Sequence, residues 1–230
     1  MDLKTGQAAF DPEPFPGYGG VLFSVAYSPD GRRLVAAGQD KQLKVWDAAT
    51  GRKIGVMGEH DRNVFNLVFS PDGRYLASAG KEGMVRVWDG TRLDERQSHL
   101  REMGTAGGDM ADTMAFSADN TRLAVGSSDL AAAIWEVQAG TRVLRLPHTP
   151  GHGFRALAFS PDGRWLASGG TDCTVKVWDA GTGTLLHTYR GHQGNVTRLK
   201  FLQLREGLHL ASGSSDRTVK FWPLTPLERR

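Results

Sequence analysis

At 230 residues, with 40% hydrophobic and 23% charged side chains, the chain has the make-up of an ordinary globular protein with room for a substantial core. Its net charge of +3, from 28 basic and 25 acidic residues, is too small a surplus to demand nucleic acid or an anionic membrane as partner. No apolar run approaches the roughly 18 residues a bilayer span requires, and the single cysteine, Cys173, cannot form an internal disulfide, which permits a reducing compartment.

In chain order, Met1 to Gln7 has no apolar signal core, so a cytoplasmic location is expected. The segment Asp2-Leu3-Lys4-Thr5-Gly6-Gln7 resembles Asp47-Ala48-Ala49-Thr50-Gly51-Arg52, which follows Trp46. Residues 7–10 are therefore expected to form a strand that completes the last structural unit from the N-terminus. Beyond them the chain repeats. Trp46, Trp88, Trp135, Trp178 and Trp222 recur every 42 to 47 residues. Tyr27, Phe69, Phe116, Phe159 and Phe201 keep the same rhythm ahead of them. Two markers with one period define five units, roughly 21–58, 63–103, 110–146, 153–190 and 195–222.

The fourth unit shows the layout most clearly. Phe154 to Phe159 reads as strand a, and Ser160-Pro161-Asp162-Gly163 as a type I turn, with Pro preset at its second position. Leu166 to Gly169 follows as strand b, Val175 to Trp178 as strand c and Leu185 to Tyr189 as strand d. Short β-branched and aromatic runs, broken by turn signals every eight to twelve residues and free of helical periodicity, predict an all-β chain of four-stranded antiparallel units. The second unit is the longest. Arg92 to Asp112 is read as a charged strand d followed by a Gly-rich loop.

The units end in Trp46-Asp47, Trp88-Asp89 and Trp178-Asp179, with Trp135-Glu136 and Trp222-Pro223 as variants. Glu59-His60 and Gly191-His192 each lie nine residues ahead of a strand-a Phe. In these features nearly the whole chain resembles the WD-repeat β-propeller family, which implies blades packed radially about a central channel. Five repeats are fewer than that family usually has. A ring closed by the N-terminal strand and an open or fragmentary arc that self-associates both fit.

The resemblance also assigns the polar residues. His192, Ser212, Asp216 and Trp222 look at first like a hydrolase triad, but the family's blades use this set as a structural hydrogen-bond network. The fourth unit repeats it with Ser168, Asp172, Trp178 and either His148 or His152; the second with His60, Ser78, Glu82 and Trp88. In the first and third units Ala36 and Val125 replace the serine, while Asp40 and Asp129 remain. A triad is needed once, so recurrence favours structure. Blades four and five are accordingly expected to be the best ordered.

No metal or other cofactor is expected. His148 and His152 lack a third ligand at metal spacing, and Gly104 to Gly108 lacks the flanks of a phosphate-binding loop. Lys44, Arg86, Lys176 and Lys220 share one register of strand c. Arg32, Arg74 and Arg164 follow Asp30, Asp72 and Asp162, which points to neutralised cations and not to a nucleic-acid surface.

By resemblance, the d–a loops and b–c turns share the face that binds partners. The expected contact residues are Gln39, Lys81, Ser128, Thr171 and Ser215 in the turns, with Asn63, Phe65, Phe154, Arg155, Asn195 and Thr197 opening strand a. The sequence thus points to a non-enzymatic scaffold for other proteins or peptides. A regulatory domain or fragment of a larger protein, and a propeller hydrolase or lyase with its site at the channel mouth, are the competing readings.

Overall fold

A computed structural model of the protein describes residues 20–97, 99–104, 110–127, 131–147, 152–205 and 207–224. Among these residues there is no helix, and the strands form five antiparallel sheets in sequence order. Blade one contains β1 (Leu22–Tyr27), β2 (Arg33–Gly38), β3 (Gln42–Asp47) and β4 (Lys53–Glu59). Blade two contains β5 (Val64–Phe69), β6 (Tyr75–Gly80), β7 (Met84–Asp89) and β8 (Arg101–Gly104). Blade three contains β9 (Ala111–Phe116), β10 (Arg122–Ser127), β11 (Ala131–Glu136) and β12 (Thr141–Pro147). Blade four contains β13 (Phe154–Phe159), β14 (Trp165–Gly170), β15 (Thr174–Asp179) and β16 (Leu185–Arg190). Blade five has three described strands, β17 (Val196–Leu204), β18 (Gly207–Ser214) and β19 (Val219–Pro223). The strand expected at residues 7–10 lies outside the described residues, as do Ser128, Asp129 and His148.

Local chemistry builds the a–b turns of blades one to four. Ser28 Oγ donates to Asp30 Oδ1 at 2.6 Å, and the amides of Arg32 and Arg33 donate back to Asp30 and to Ser28 Oγ. The same knot ties Ser70 to Asp72, Ser117 to Asp119 and Ser160 to Asp162. In blade three the turn reads Ser117-Ala118-Asp119-Asn120, and Asn120 takes the left-handed position at φ 64° that glycine fills elsewhere. Among the described residues blade five has no such knot. Its first two strands continue into a longer hairpin across Leu204 and Gly207.

No sheet hides both faces alone, so the core lies between blades. Val35, Ala37, Leu43 and Val45 of blade one pack on Val64, Leu67 and Phe69 of blade two. Ala77, Val85 and Val87 meet Met114 and Phe116 of blade three; Ala124 and Ile134 meet Phe154 and Leu157 of blade four; Val175 and Val177 meet Val196 and Phe201 of blade five. The inner strands β1, β5, β9, β13 and β17 pack side by side in that order. Among the described residues no comparable contact joins β17 back to β1.

The extra length of blade two lies in its c–d connection. Strand β8 has only four residues, and the segment ahead of it is tied to blade one: Leu93 enters the shared core, Asp94 pairs with Arg33 and Arg96 with Glu59.

Candidate interaction site at the channel mouth

Each inner strand carries a β-bulge at the same place. Leu22 and Ser24 pair with Gly38 and Ala37, leaving Phe23 without a partner residue. Phe65, Asp112, Arg155 and Thr197 are skipped in the same way in the next four blades. A bulged residue is released from the ladder and its side chain is re-aimed. Here the five bulged side chains converge on one cavity of about 410 Å³, which all five inner strands line.

The mouth has two chemically distinct sides. On one, the Phe23 and Phe65 rings sit 4.8 Å apart between centroids. On the other, Arg155 Nη1 lies 3.7 Å from Asp112 Oδ1, with Thr197 and Arg198 alongside. Asp112 Oδ2 is buried and has no hydrogen-bond partner among the described residues. Two hydrogen bonds tie neighbouring inner strands: Leu67 N of β5 donates to Ser24 Oγ of β1 at 3.0 Å, and Asn66 Nδ2 of β5 to the Asp112 carbonyl of β9 at 3.0 Å.

The b–c turns adjoin the starts of the inner strands on this same face. The amides of Gln39, Lys81, Thr171 and Ser215 donate to the carbonyls of Val21, Asn63, Gly153 and Asn195, at 2.9 to 3.0 Å. Gln39, Lys81, Asn195 and Ser215 are exposed; Asn63 and Thr171 are half-buried. Phe65, Arg155 and Thr197 are bulge residues at the mouth. Phe154 is different: it is 2% exposed and belongs to the core between blades three and four, where a strand-opening apolar side chain faces the neighbouring sheet. Sequence reasoning passed over Phe23 and Asp112. Both stand four residues ahead of their strand-a aromatic, the same offset as Phe65, Arg155 and Thr197.

The network residues sit behind this face. Trp222 Nε1 donates to Ser212 Oγ at 2.8 Å; Ser212 and His192 Nε2 are 2.7 Å apart, and His192 Nδ1 lies 2.8 Å from Asp216. Blade two matches it with Trp88 to Ser78 at 2.7 Å, Ser78 to His60 at 2.6 Å and His60 to Glu82 at 2.6 Å. In this arrangement the imidazole can donate from Nδ1 to the carboxylate and accept the serine proton at Nε2. Burial holds the His60 imidazole below its ordinary value, outweighing the opposing pull of Glu82. The Thr218 hydroxyl, then the Gln193 amide and His192, hold the Asp216 carboxyl far below the usual range.

In blade four Trp178 Nε1 donates to Ser168 Oγ at 2.8 Å, but His152 reaches only Thr171, at 3.5 Å between Nδ1 and Oγ1. Asp172 binds Lys176 and Thr174. Burial works against its ionisation, yet hydrogen bonds from the ammonium of Lys176 and from Thr174 outweigh it and hold the carboxyl at about 2. Lys44 pairs with Asp40 in the same way, and Arg86 is enclosed by Asp61, Glu82 and Glu102. Three of the four cations in the strand-c register are therefore engaged with carboxylates. In blade three the Trp135 ring nitrogen is buried without a hydrogen-bond partner, where Val125 supplies no oxygen.

A second cleft of about 450 Å³ lies on the opposite face, among the a–b turns and c–d connection of blades one and two. Its charges pair with one another, Arg33 with Asp94 and Arg92 with Glu95. Among the described residues no three His, Cys, Asp or Glu side chains gather into a metal-binding group.

Four-stranded antiparallel blades about a common channel, held by a recurring Trp-Ser-His-carboxylate chain, define a repeat protein of the β-propeller class. The family model described as "WD domain, G-beta repeat" matches residues 13–47, 51–89, 143–179 and 183–223, more than half of the sequence. The chain belongs to the WD-repeat family. The matched stretches pass over residues 90–142, yet Ala111–Pro147 folds as a complete four-stranded blade. The WD repeat-containing protein SL1-17 of Schistosoma mansoni is 43% identical over 53 residues, which are 23% of this chain and 16% of that protein. Proteins of this family generally serve as platforms for protein interaction and are generally not enzymes.

Proposed function

We propose that the chain is a non-enzymatic adaptor that captures a segment of a partner protein at the channel mouth. The observation that carries this reading is the alignment of five bulges, which aim Phe23, Phe65, Asp112, Arg155 and Thr197 into one cavity. A bulge at one register of every inner strand is a device for presenting side chains, and the rigid sheets behind it keep the ordering cost of binding low. The surface suits a partner segment with an apolar side chain for the Phe23–Phe65 side and a polar one for the Arg155 side. Aromatic residues and arginine dominate interface energetics, which favours Phe65 and Arg155 as anchors with Lys81 at the rim.

An affinity pull-down tests this, comparing the wild type with a Phe65→Ala, Arg155→Ala, Lys81→Ala variant. A control variant carries Arg32→Ala and Arg74→Ala on the opposite face. The expected result is loss of specific partners from the first variant and their retention by the control. Identical recovery by the wild type and the first variant overturns the assignment of the face.

A further inference from the structure

The two ends of the blade series expose matching halves of an interface that the chain builds four times internally. On the leading side of blade two, Val64, Leu67 and Phe69 are 0%, 6% and 9% exposed, because blade one covers them. The same register of blade one holds Leu22, Val25 and Tyr27, and these are 42%, 59% and 61% exposed. On the trailing side of blade four, Val175 and Val177 are fully buried by blade five. The same register of blade five holds Val219 and Phe221, at 64% and 59%. Apolar side chains at the same register thus go from buried to open between the inner blades and these two faces.

We propose that these faces bind each other between two copies of the chain, head to tail. The face of β18 and β19 in one copy, with Ala211, Val219 and Phe221, packs on the β1 strip of the next, with Leu22, Val25 and Tyr27. The occupant is specified by the internal interfaces: aliphatic side chains on strands b and c of one blade meet an aliphatic–aromatic pair on strand a of the following blade, together with its strand-b Leu and strand-c Trp. Both halves are carried by this one sequence, so a second copy supplies the required partner surface. On blade one the open strip is the part nearest the channel, since Leu34, Ala36 and Trp46 farther out are already buried. A fourth strand added along the edge of β19 would widen the blade-five sheet but would not cover Val219 and Phe221, which project from its face. The contact is heterologous, so each copy retains one free face unless the assembly closes.

The test is light scattering coupled to size exclusion on the full 230-residue chain, from about 1 to 100 μM, the range in which heterologous contacts of modest strength build up by mass action. One variant carries Val25→Asp and Tyr27→Asp; the other carries Val219→Asp and Phe221→Asp. The wild type is expected to assemble as concentration rises, and each variant alone to run as a monomer. An equal mixture of the two variants is expected to form a dimer, because each contributes the face the other has lost. Circular dichroism verifies folding, and Ser replaces Asp at the same positions if either charged variant unfolds. A wild type that stays monomeric throughout, variants that still assemble alone, or a mixture that remains monomeric each overturn the proposal.

Discussion

His60 and Glu82 meet at 2.6 Å between Nδ1 and Oε1, while the corresponding pair in blade five, His192 and Asp216, stands at 2.8 Å. A glutamate therefore does an aspartate's work in blade two: its longer arm still aims the imidazole at Ser78, which accepts the Trp88 ring proton. Removing the central oxygen should strand the groups on both sides. Ser78→Ala and Ser212→Ala are each expected to cost about 1–3 kcal/mol, the range for leaving a buried polar group unpaired. At about 2–4 °C per kcal/mol for a domain of this size, melting temperature should fall visibly. A change under about half a degree would show that the chain of bonds contributes nothing to stability.

Acid should weaken the fold in two stages. The folded His60 is held below its ordinary value of 6.5 by burial, so the unfolded chain takes up its proton first. Its contribution is whole above about 6.5 and declines as pH falls from there toward the folded value. Asp172 has the carboxylate form of the same relation, about 2 when folded against an ordinary 3.8. Its contribution is present above 3.8 and lost as pH drops toward 2. Urea midpoints measured from pH 8 to pH 3 should show both declines. His60→Gln should flatten the first and Asp172→Asn the second; unaltered profiles would refute the assignment.

One substitution separates an inner blade from the last. A Cβ added at Gly169 would lie 2.4 Å from Val196 Cγ1 and 2.8 Å from its Cβ, inside the packing between blades four and five. At Gly213, the same register in blade five, a Cβ would meet, among the described residues, only Arg198 Cβ at 3.7 Å. Gly169→Ala is therefore expected to cost about 1–3 kcal/mol through overpacking, and Gly213→Ala almost nothing. Equal costs in chemical denaturation at low protein concentration would mean that the Gly213 register is covered in solution.

Blade three offers the converse experiment. Trp135 Nε1 is buried without a partner, and Val125 occupies the strand-b position of Ser78 and Ser212. Val125→Ser supplies the missing acceptor. It should cost about 1 kcal/mol less than Val87→Ser, an equally buried site with no such nitrogen, the difference being one hydrogen bond. Matching losses for the two variants would show that the hydroxyl fails to reach the indole.

Hydrogen exchange ranks the blades. The sequence favoured blades four and five as best ordered, because their polar sets looked most complete. The structure weighs a second factor: blade two has its whole network and a neighbour on each side, while blade five has a full network but one open face. Slowest exchange is expected in β6 and β7, and faster opening there than in β18 and β19 would contradict this ordering.

What could be read along the chain was whatever depends on neighbours in sequence. The Ser-Pro-Asp-Gly turns, the Trp period and the alternation within strands are local, and they defined five blades; in the fourth, β13 runs over Phe154–Phe159 as expected and β14, β15 and β16 extend slightly past the expected limits. The register of the channel ring was also present, as the fixed offset of four residues before each strand-a aromatic. Phe65, Arg155 and Thr197 were named from it, but Phe23 and Asp112 were not, because two phenylalanines, an aspartate, an arginine and a threonine form no single pattern of residue type.

By itself, then, the sequence determined the repeat, the all-β class and the residues of the buried networks of blades two and five, since each unit carries its own turn and strand signals. Only the tertiary structure decided which apolar residues are core and which are surface. Phe154 is buried and Phe65 reaches the mouth although they stand at the starts of equivalent inner strands, β13 and β5, one residue apart in register, because the bulge turns Phe65 toward the axis. Val25 and Leu67 occupy equivalent positions with opposite exposure because one has a blade in front of it and the other does not. Burial depends on what stands opposite a side chain, and that is set by the order of blades in space.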